Sequence, residues 1–313
     1  MVVSVVICCY TEERYSGILR AVASVEAQVR KADEIIIVVD NSISLYDRLK
    51  VDLGHKALIL LNQGPRGVPQ ARNVGVMAAS GDVAAFLDDD ASAAPDWLEE
   101  LIRPFADPSI LVAGGVELPE WESGEPPAWM SEELYWVVGA TYRAFRTAPG
   151  EVRNVHGGNM AFRRAVLVEI GGFLQGIGHV RDLAAGDDTE VCIRIRTRYP
   201  HAKVWFQPTA VISHYVPLSR ATISHLVSRS YGEGIGKARI RRWHGKDTLS
   251  DESAYLRHLL RAILARRVGR LTKLVTWQRI GALLVSTICV GFGFLVGYLE
   301  PGDKRLRESL VSS

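Results

Sequence analysis

The run Phe86-Leu87-Asp88-Asp89-Asp90 closes an apolar stretch with three carboxylates. Two further apolar runs end in polar residues, at Cys8-Cys9-Tyr10-Thr11-Glu12-Glu13 and at Asp40-Asn41-Ser42. Negative charge gathered at one rim costs free energy unless a cation or hydrogen-bond donors sit among the acids. In an extended chain Asp88 and Asp90 share one side and Asp89 takes the other. Carboxylate oxygens at a strand end suit a hard divalent ion, Mg2+ or Mn2+, which keeps some of its water and bridges phosphates. Such an ion neutralises a departing diphosphate. An acidic turn or helix cap ahead of Pro95-Asp96-Trp97 is the alternative that this run alone leaves open. A second acidic pair, Asp187-Asp188, stands at the head of a helical pattern from Thr189 to Arg198. The helix dipole accounts for acids there.

These residues need a scaffold that brings strand ends together. Val2 to Cys9, Glu34 to Asp40, Ala57 to Leu61 and Val83 to Leu87 are short, nearly continuous apolar runs, as expected of strands covered by helices on both faces. Between them lie amphipathic stretches: Ile18, Leu19, Val22 and Val25 form one stripe, and Pro69 opens another that Ser80-Gly81 stops. This alternation predicts an α/β fold with a mostly parallel sheet, whose ligands bind outside the carboxyl ends of the strands. Further strands are expected near Val204 and Val211. Pro119 to Trp136, with its prolines, acids and three tryptophans, predicts a loop or lid over the sheet edge.

Beyond about residue 235 the composition changes. From Arg257 to Arg279 seven basic residues accompany leucines and valines at helical spacing, with no acid among them, which predicts a basic amphipathic helix suited to an anionic leaflet. Ile280 to Leu299 carries no charge over a length that matches a hydrocarbon core of ~30 Å. The expected division is therefore a catalytic domain over 1–235 and a membrane-associated segment over 236–313. Met1 to Cys8 has no basic leader and reads as a strand, so the catalytic part is expected on the cytoplasmic side. More basic residues precede Ile280 than follow Leu299, which favours the same orientation.

Composition narrows the class. The 313 residues are 48% hydrophobic and 23% charged, with 28 glycines and 13 prolines, which excludes disordered, collagen-like and disulfide-framework chains. A net charge of +2 gives no reason to expect nucleic acid as a partner. Cys8, Cys9, Cys192 and Cys289 lack metal-ligand spacing and are expected to pack.

Taken together, VSVVICCY, the strand-end Asp40, GPRGVPQARNVGVMAASGDVAAFLDDD, GGF and GDDTE resemble family 2 glycosyltransferases of the GT-A fold over roughly residues 1 to 235. The resemblance implies an enzyme that transfers one sugar from a nucleoside diphosphate donor, UDP favoured, with inversion at the anomeric carbon. It implies donor contacts at Cys8, Tyr10, Glu12, Asp40, Arg72, Asp88 and Asp89, and at Gly158 and Asn159 of a glycine-rich turn. Asp90 and His214 are the implied ligands of Mn2+ or Mg2+, Asp188 the base and Asp187 its support. His179 and Arg181 are candidates near the acceptor. Thr11 stands where the family often has asparagine, and Asp187 where glutamate is usual. Arg239-Ile240-Arg241-Arg242-Trp243 resembles the Gln-x-x-Arg-Trp motif of processive synthases without its glutamine, which favours single addition. The membrane-directed segment points to a lipid-linked acceptor such as a polyprenyl-linked glycan. Transfer to polyprenyl phosphate itself, or a non-catalytic membrane scaffold on the same fold, are the alternatives. A nucleotidyltransferase would need a glycine-rich, lysine-containing loop that is missing near the N-terminus.

Overall fold

Apolar side chains on both faces of one strand require cover on both sides, and the computed structural model provides it. It describes residues 1–142, 145–175, 186–245 and 274–299, which cluster into two units: Met1–Leu118 with Arg146–Gly178 and Asp187–Tyr215, and Pro119–Phe145 with His179–Gly186 and Val216–Ser313.

The first unit is built on β1 (Val3–Cys9), β2 (Glu34–Asp40), β3 (Leu58–Asn62), β4 (Val83–Asp88), β5 (Ala91–Ala93), β6 (Ile110–Trp121), β7 (Gly150–Glu151), β8 (Asn159–Arg163) and β9 (Lys203–Val216). The strand order is β3-β2-β1-β4-β8-β6-β9-β5, with β7 on β9. The first four strands are parallel, as the sequence predicts; β8 runs antiparallel to β4 and β6, and β5 and β7 antiparallel to β9, so the sheet is mixed. Val3, Val5 and Ile7 face one core and Val6 the other, all with no exposure. Each such side chain stabilises the fold by about 1.5–3 kcal/mol, and a slip of one residue would exchange the two faces. That fixed register sets Cys8 between Val38 and Asp88 and pairs Asp40 with Asn62, so the polar ends of β1, β2 and β4 finish together.

Helices α1 (Tyr15–Glu26), α2 (Ile43–Leu53), α3 (Val68–Ala78), α4 (Trp97–Ile102), α5 (Arg164–Glu169) and α6 (Asp187–Arg198) complete this unit. The two strands expected near Val204 and Val211 are one, β9. Gln207-Pro208-Thr209 interrupts the apolar pattern there because Gln207 and Thr209 serve Glu100, whose Oε2 accepts from them at 3.0 and 2.5 Å.

The second unit contains α7 (Ile223–His244) and α8 (Leu274–Leu299). The tryptophan-rich segment expected as a lid is instead part of this unit's core. Trp121, Trp129, Tyr135 and Trp136 pack around Met130, Leu134, Val137, Val138, Leu226, Ala282 and Leu283, the sort of burial that makes large aromatics structural. α8 is long and apolar enough to cross a membrane and is mostly exposed. The basic stretch from Arg257 lies outside the described residues up to Lys273, as do His179 and Arg181.

Candidate active site

The acids after β4 separate into two environments, because alternate residues of an extended chain point opposite ways. Asp88 and Asp90 turn to one side and meet His214, brought there by β9 because His214 pairs with Ala91 of β5. One ligand atom from each of Asp88, Asp90 and His214 lies within 4.8 Å of the others. His214 Nε2 is 3.2 Å from Asp90 Oδ1, and its Nδ1 is buried with no hydrogen-bond partner. Two carboxylates and an imidazole form a donor set that fits Mn2+ or Mg2+ at ordinary bond lengths of about 2.1 Å. Asp88 thus stands in the same cluster as Asp90 and His214, the two ligands expected from the sequence.

Asp89 points elsewhere. Expected among the donor contacts, it is 3% exposed and receives Arg14 Nη1 at 2.7 Å, while the same nitrogen lies 3.1 Å from Asp90 Oδ2. Burial pushes the Asp89 carboxyl up to about 7, against the pull of Arg14 and with a push from Asp90. Gly17 of α1 permits this approach: a Cβ there would stand 2.9 Å from the Asp89 carbonyl oxygen. Arg14 also lies over the exposed ring of Tyr10, with Cζ 5.4 Å from its centroid. Glu12 is exposed on the short 3-10 turn that carries Arg14.

Asp40 is held at the end of β2 by three donors. Asn62 Nδ2 at 2.6 Å and Asn41 Nδ2 at 2.9 Å reach Oδ1, and the Gly67 N–H at 2.9 Å reaches Oδ2. Cys8 is half-buried beside it, and burial raises its thiol to about 12, so it is a neutral packing and contact group rather than a nucleophile.

Arg72 of α3 links the two sets of acids. It is 5% exposed, donates to Gly157 O at 2.9 Å, pairs with Asp187 and stands 3.8 Å from Asp88 Oδ1. Its guanidinium lies over Phe173 and Phe86, 5.4 and 5.9 Å from their ring centres. The neighbouring Asn73 fixes that platform: its Oδ1 accepts from Phe173 N–H at 2.7 Å and its Nδ2 donates to Phe173 O at 2.8 Å. Gly172, at φ +71°, makes room, since a Cβ would fall 2.3 Å from Asn73 Oδ1. Arg194 of α6 closes the same turn by donating to Gly172 O at 2.6 Å while gripping the buried Glu190 with two bonds of 2.9 Å.

Asp188 is half-buried at the start of α6, where its Oδ1 accepts from Thr189 N–H at 2.6 Å. It shares an electrostatic environment with the acids of β4. Asp187, Asp88, Cys8 and Asp188 all act on Arg72, whereas Asp88, Asp188 and Asp90 all act on Glu117 of β6. Glu117 is 3% exposed; burial first, and those three acids after it, push its carboxyl well above the usual range, against one bond from Gly158 N–H. A Cβ on Gly158 would stand 2.7 Å from Asp88 Oδ2 and 3.0 Å from Glu117 Oε1, so any larger residue would displace both carboxylates.

Asn159, also expected to touch the donor, is a pin instead. It is fully buried, donates to Val116 O at 3.0 Å and Ala210 O at 2.9 Å, and accepts from Trp97 Nε1 at 2.8 Å, which spends its amide inside the fold. Arg14 and Glu117 are the site residues that sequence reasoning misses. Glu12-Glu13-Arg14 has the composition of a surface turn, and Glu117 follows the apolar run Ile110 to Val116; a charge closing that run is the one signal available.

Comparison with known proteins identifies the family. The glycosyl transferase family 2 profile matches residues 4–171. A glucosyl-dolichyl phosphate glucuronosyltransferase of Haloferax volcanii is 35% identical over 308 residues, covering 96% of this chain and 97% of that protein. Among solved structures, the mannosyltransferase PcManGT from Pyrobaculum calidifontis, in complex with GDP-Man and Mn2+, superposes with a TM-score of 0.59 at 19% identity, over 91% of this chain and 86% of the other. GalNAc-T7, with UDP, GalNAc and Mn2+, gives 0.57 at 18% identity, over 96% of this chain and 56% of the other. The fold is GT-A, and the chain belongs to glycosyl transferase family 2 as a glycosyltransferase enzyme.

Proposed function

We propose that this enzyme transfers one sugar, with inversion, from a uridine diphosphate sugar to a hydroxyl of a polyprenyl-linked glycan at the cytoplasmic face of a membrane. The observation that carries the reading is the cluster of Asp88, Asp90 and His214 sharing its electrostatic neighbourhood, through Arg72 and Glu117, with the Asp187-Asp188 pair. Similarity along nearly the whole chain to a protein named for a dolichyl phosphate-linked sugar supports a lipid-linked acceptor.

Asp88, Asp90 and His214 would hold Mn2+ or Mg2+, which when bound neutralises the diphosphate that leaves. Asp40, with lone pairs left on Oδ2, accepts a hydrogen bond from the nucleoside. Cys8, Tyr10 and the exposed Glu12 flank the same strand end. Gly157 and Gly158 let the donor approach the backbone, and Arg72 orients Asp187 and supplies positive charge beside Asp88. Asp188 accepts the proton of the acceptor hydroxyl as its oxygen bonds to the anomeric carbon; the carbon–oxygen bond to the diphosphate breaks and the nucleoside diphosphate leaves with the electron pair.

The test incubates the full chain with labelled UDP-sugars and either a glycosylated polyprenyl phosphate or bare polyprenyl phosphate, with Mn2+ or with chelator. The expected product forms only on the glycosylated lipid and only with the divalent ion. A product on bare polyprenyl phosphate, or one unaffected by chelation, overturns the acceptor or the metal respectively.

A further inference from the structure

The apolar C-terminal helix does not stand alone. α7 and α8 run side by side in the same direction: Ser230 Oγ meets Ser286 Oγ at 2.9 Å, and twelve residues further along α7 Arg242 donates to Gly297 O and Tyr298 O at 2.8 and 2.5 Å. Between these points the backbones touch. A Cβ on Gly234 would lie 2.2 Å from Val290 O, and one on Gly293 would lie 2.1 Å from Tyr231 O. Near its start α8 is also fixed by Arg279, which donates to Ala128 O at 3.0 Å, and by the core that Ala282 and Leu283 share with Leu226 and Met130.

This packing decides how α8 can meet a bilayer. Any path that carries α8 across the hydrocarbon carries α7 with it, and over the paired length α7 holds Glu233, Lys237, Arg239, Arg241 and Arg242. Charged side chains in the hydrocarbon are costly and rare. The exposed side of α8 is the opposite in character, with Phe292 at its edge, 6.0 Å from the ring of Tyr231 on α7. Trp277, Leu284, Ile288, Phe292, Leu295 and Leu299 follow one another at spacings of three, four or seven and are at least half exposed.

We infer that α8 is an in-plane membrane helix: its exposed apolar stripe enters the boundary between headgroups and acyl chains of an anionic bilayer along its whole length, with α7 on its aqueous side. Arg241, Arg242 and His244 in the last turn of α7 supply the charge that anionic headgroups complement. The inference rests on the membrane association proposed above and specifies its geometry. Its test reads depth and not sugar transfer, so the two can fail separately.

Single cysteines replacing Trp277, Leu284, Ile288 and Leu295 in a full chain carrying Cys289→Ser, each bearing a nitroxide, are measured on vesicles of mixed phosphatidylcholine and phosphatidylglycerol. The parent without an introduced cysteine supplies the background. The expected result is one shallow depth of about 5–10 Å at all four positions. A depth that peaks near Ile288 and falls toward the ends means that α8 spans and overturns the inference; labels exposed to water throughout mean that another protein or a second copy covers the stripe, and overturn it equally. The double variant Ile288→Glu/Leu295→Glu, whose substituted side chains are exposed, is expected to lose at least tenfold in vesicle co-sedimentation with an unchanged circular dichroism spectrum. Binding equal to that of the parent also contradicts the inference.

Discussion

At the scale of single residues, the site is organised by charges that the fold confines together. Arg14 is the counter-ion for Asp89 and Asp90, both nearly buried. Its removal strands two acids, and because its side chain is 26% exposed the cost belongs at the lower end for a broken buried pair, about 3 kcal/mol. Urea unfolding of Arg14→Ala should show that loss, and Arg14→Ala/Asp89→Asn should recover part of it; an unchanged midpoint in the single variant would refute the pairing. Asp89 also gives stability a pH dependence. Its carboxyl titrates near 7 when folded against 3.8 ordinarily, so between these values the folded chain keeps a proton that the unfolded chain has lost. Stability from this group is complete below about 3.8 and declines as pH rises toward 7; Glu117, raised in the same direction, adds to the slope. Melting temperatures measured in chelator should fall across this window, and Asp89→Asn should flatten the fall. An identical profile in that variant would show that Asp89 does not contribute.

At the scale of elements, the site depends on side chains that hold turns in place without facing the donor. Asn73 makes both of its bonds to the backbone of Phe173, whose ring supports Arg72. Asn73→Ala leaves a buried N–H and C=O unpartnered, so it should cost about 1–3 kcal/mol in urea unfolding. It should also raise KM for the donor, since Arg72 loses its platform; a change in stability with KM unaltered would separate the two roles. The strand ends were legible because period-two burial and apolar runs reveal where parallel strands stop, and Asp40, Asp88 and Asp90 stand at those stops. The role of Asn159 was not legible: its neighbours Gly157 and Gly158 predict close approach to a ligand, but Trp97, Val116 and Ala210, which consume its amide, are distant in sequence. Arg14 was hidden for the same reason, since its partners lie 75 and more residues away.

At the scale of the whole molecule, the two units divide the work by chemistry. The first carries every acid of the candidate site on a mixed sheet, and the second carries the exposed apolar stripe. The packing of the tryptophans of Pro119 to Trp136, a segment read as a loop or lid, was not legible, because they find a core in α7 and α8, elements that no local pattern connects to them. In the proposed reaction Asp188 removes the acceptor's proton beside a donor held by the Asp88, Asp90 and His214 group. Parallel measurement of Mn2+-dependent UDP binding and of single-turnover sugar transfer in the full chain and in Asp188→Asn tests it most directly. Equal UDP affinity with transfer reduced by about 100- to 10,000-fold, the usual worth of a general base, is the expected outcome; transfer at the parent rate with UDP bound as before would remove Asp188 from that role.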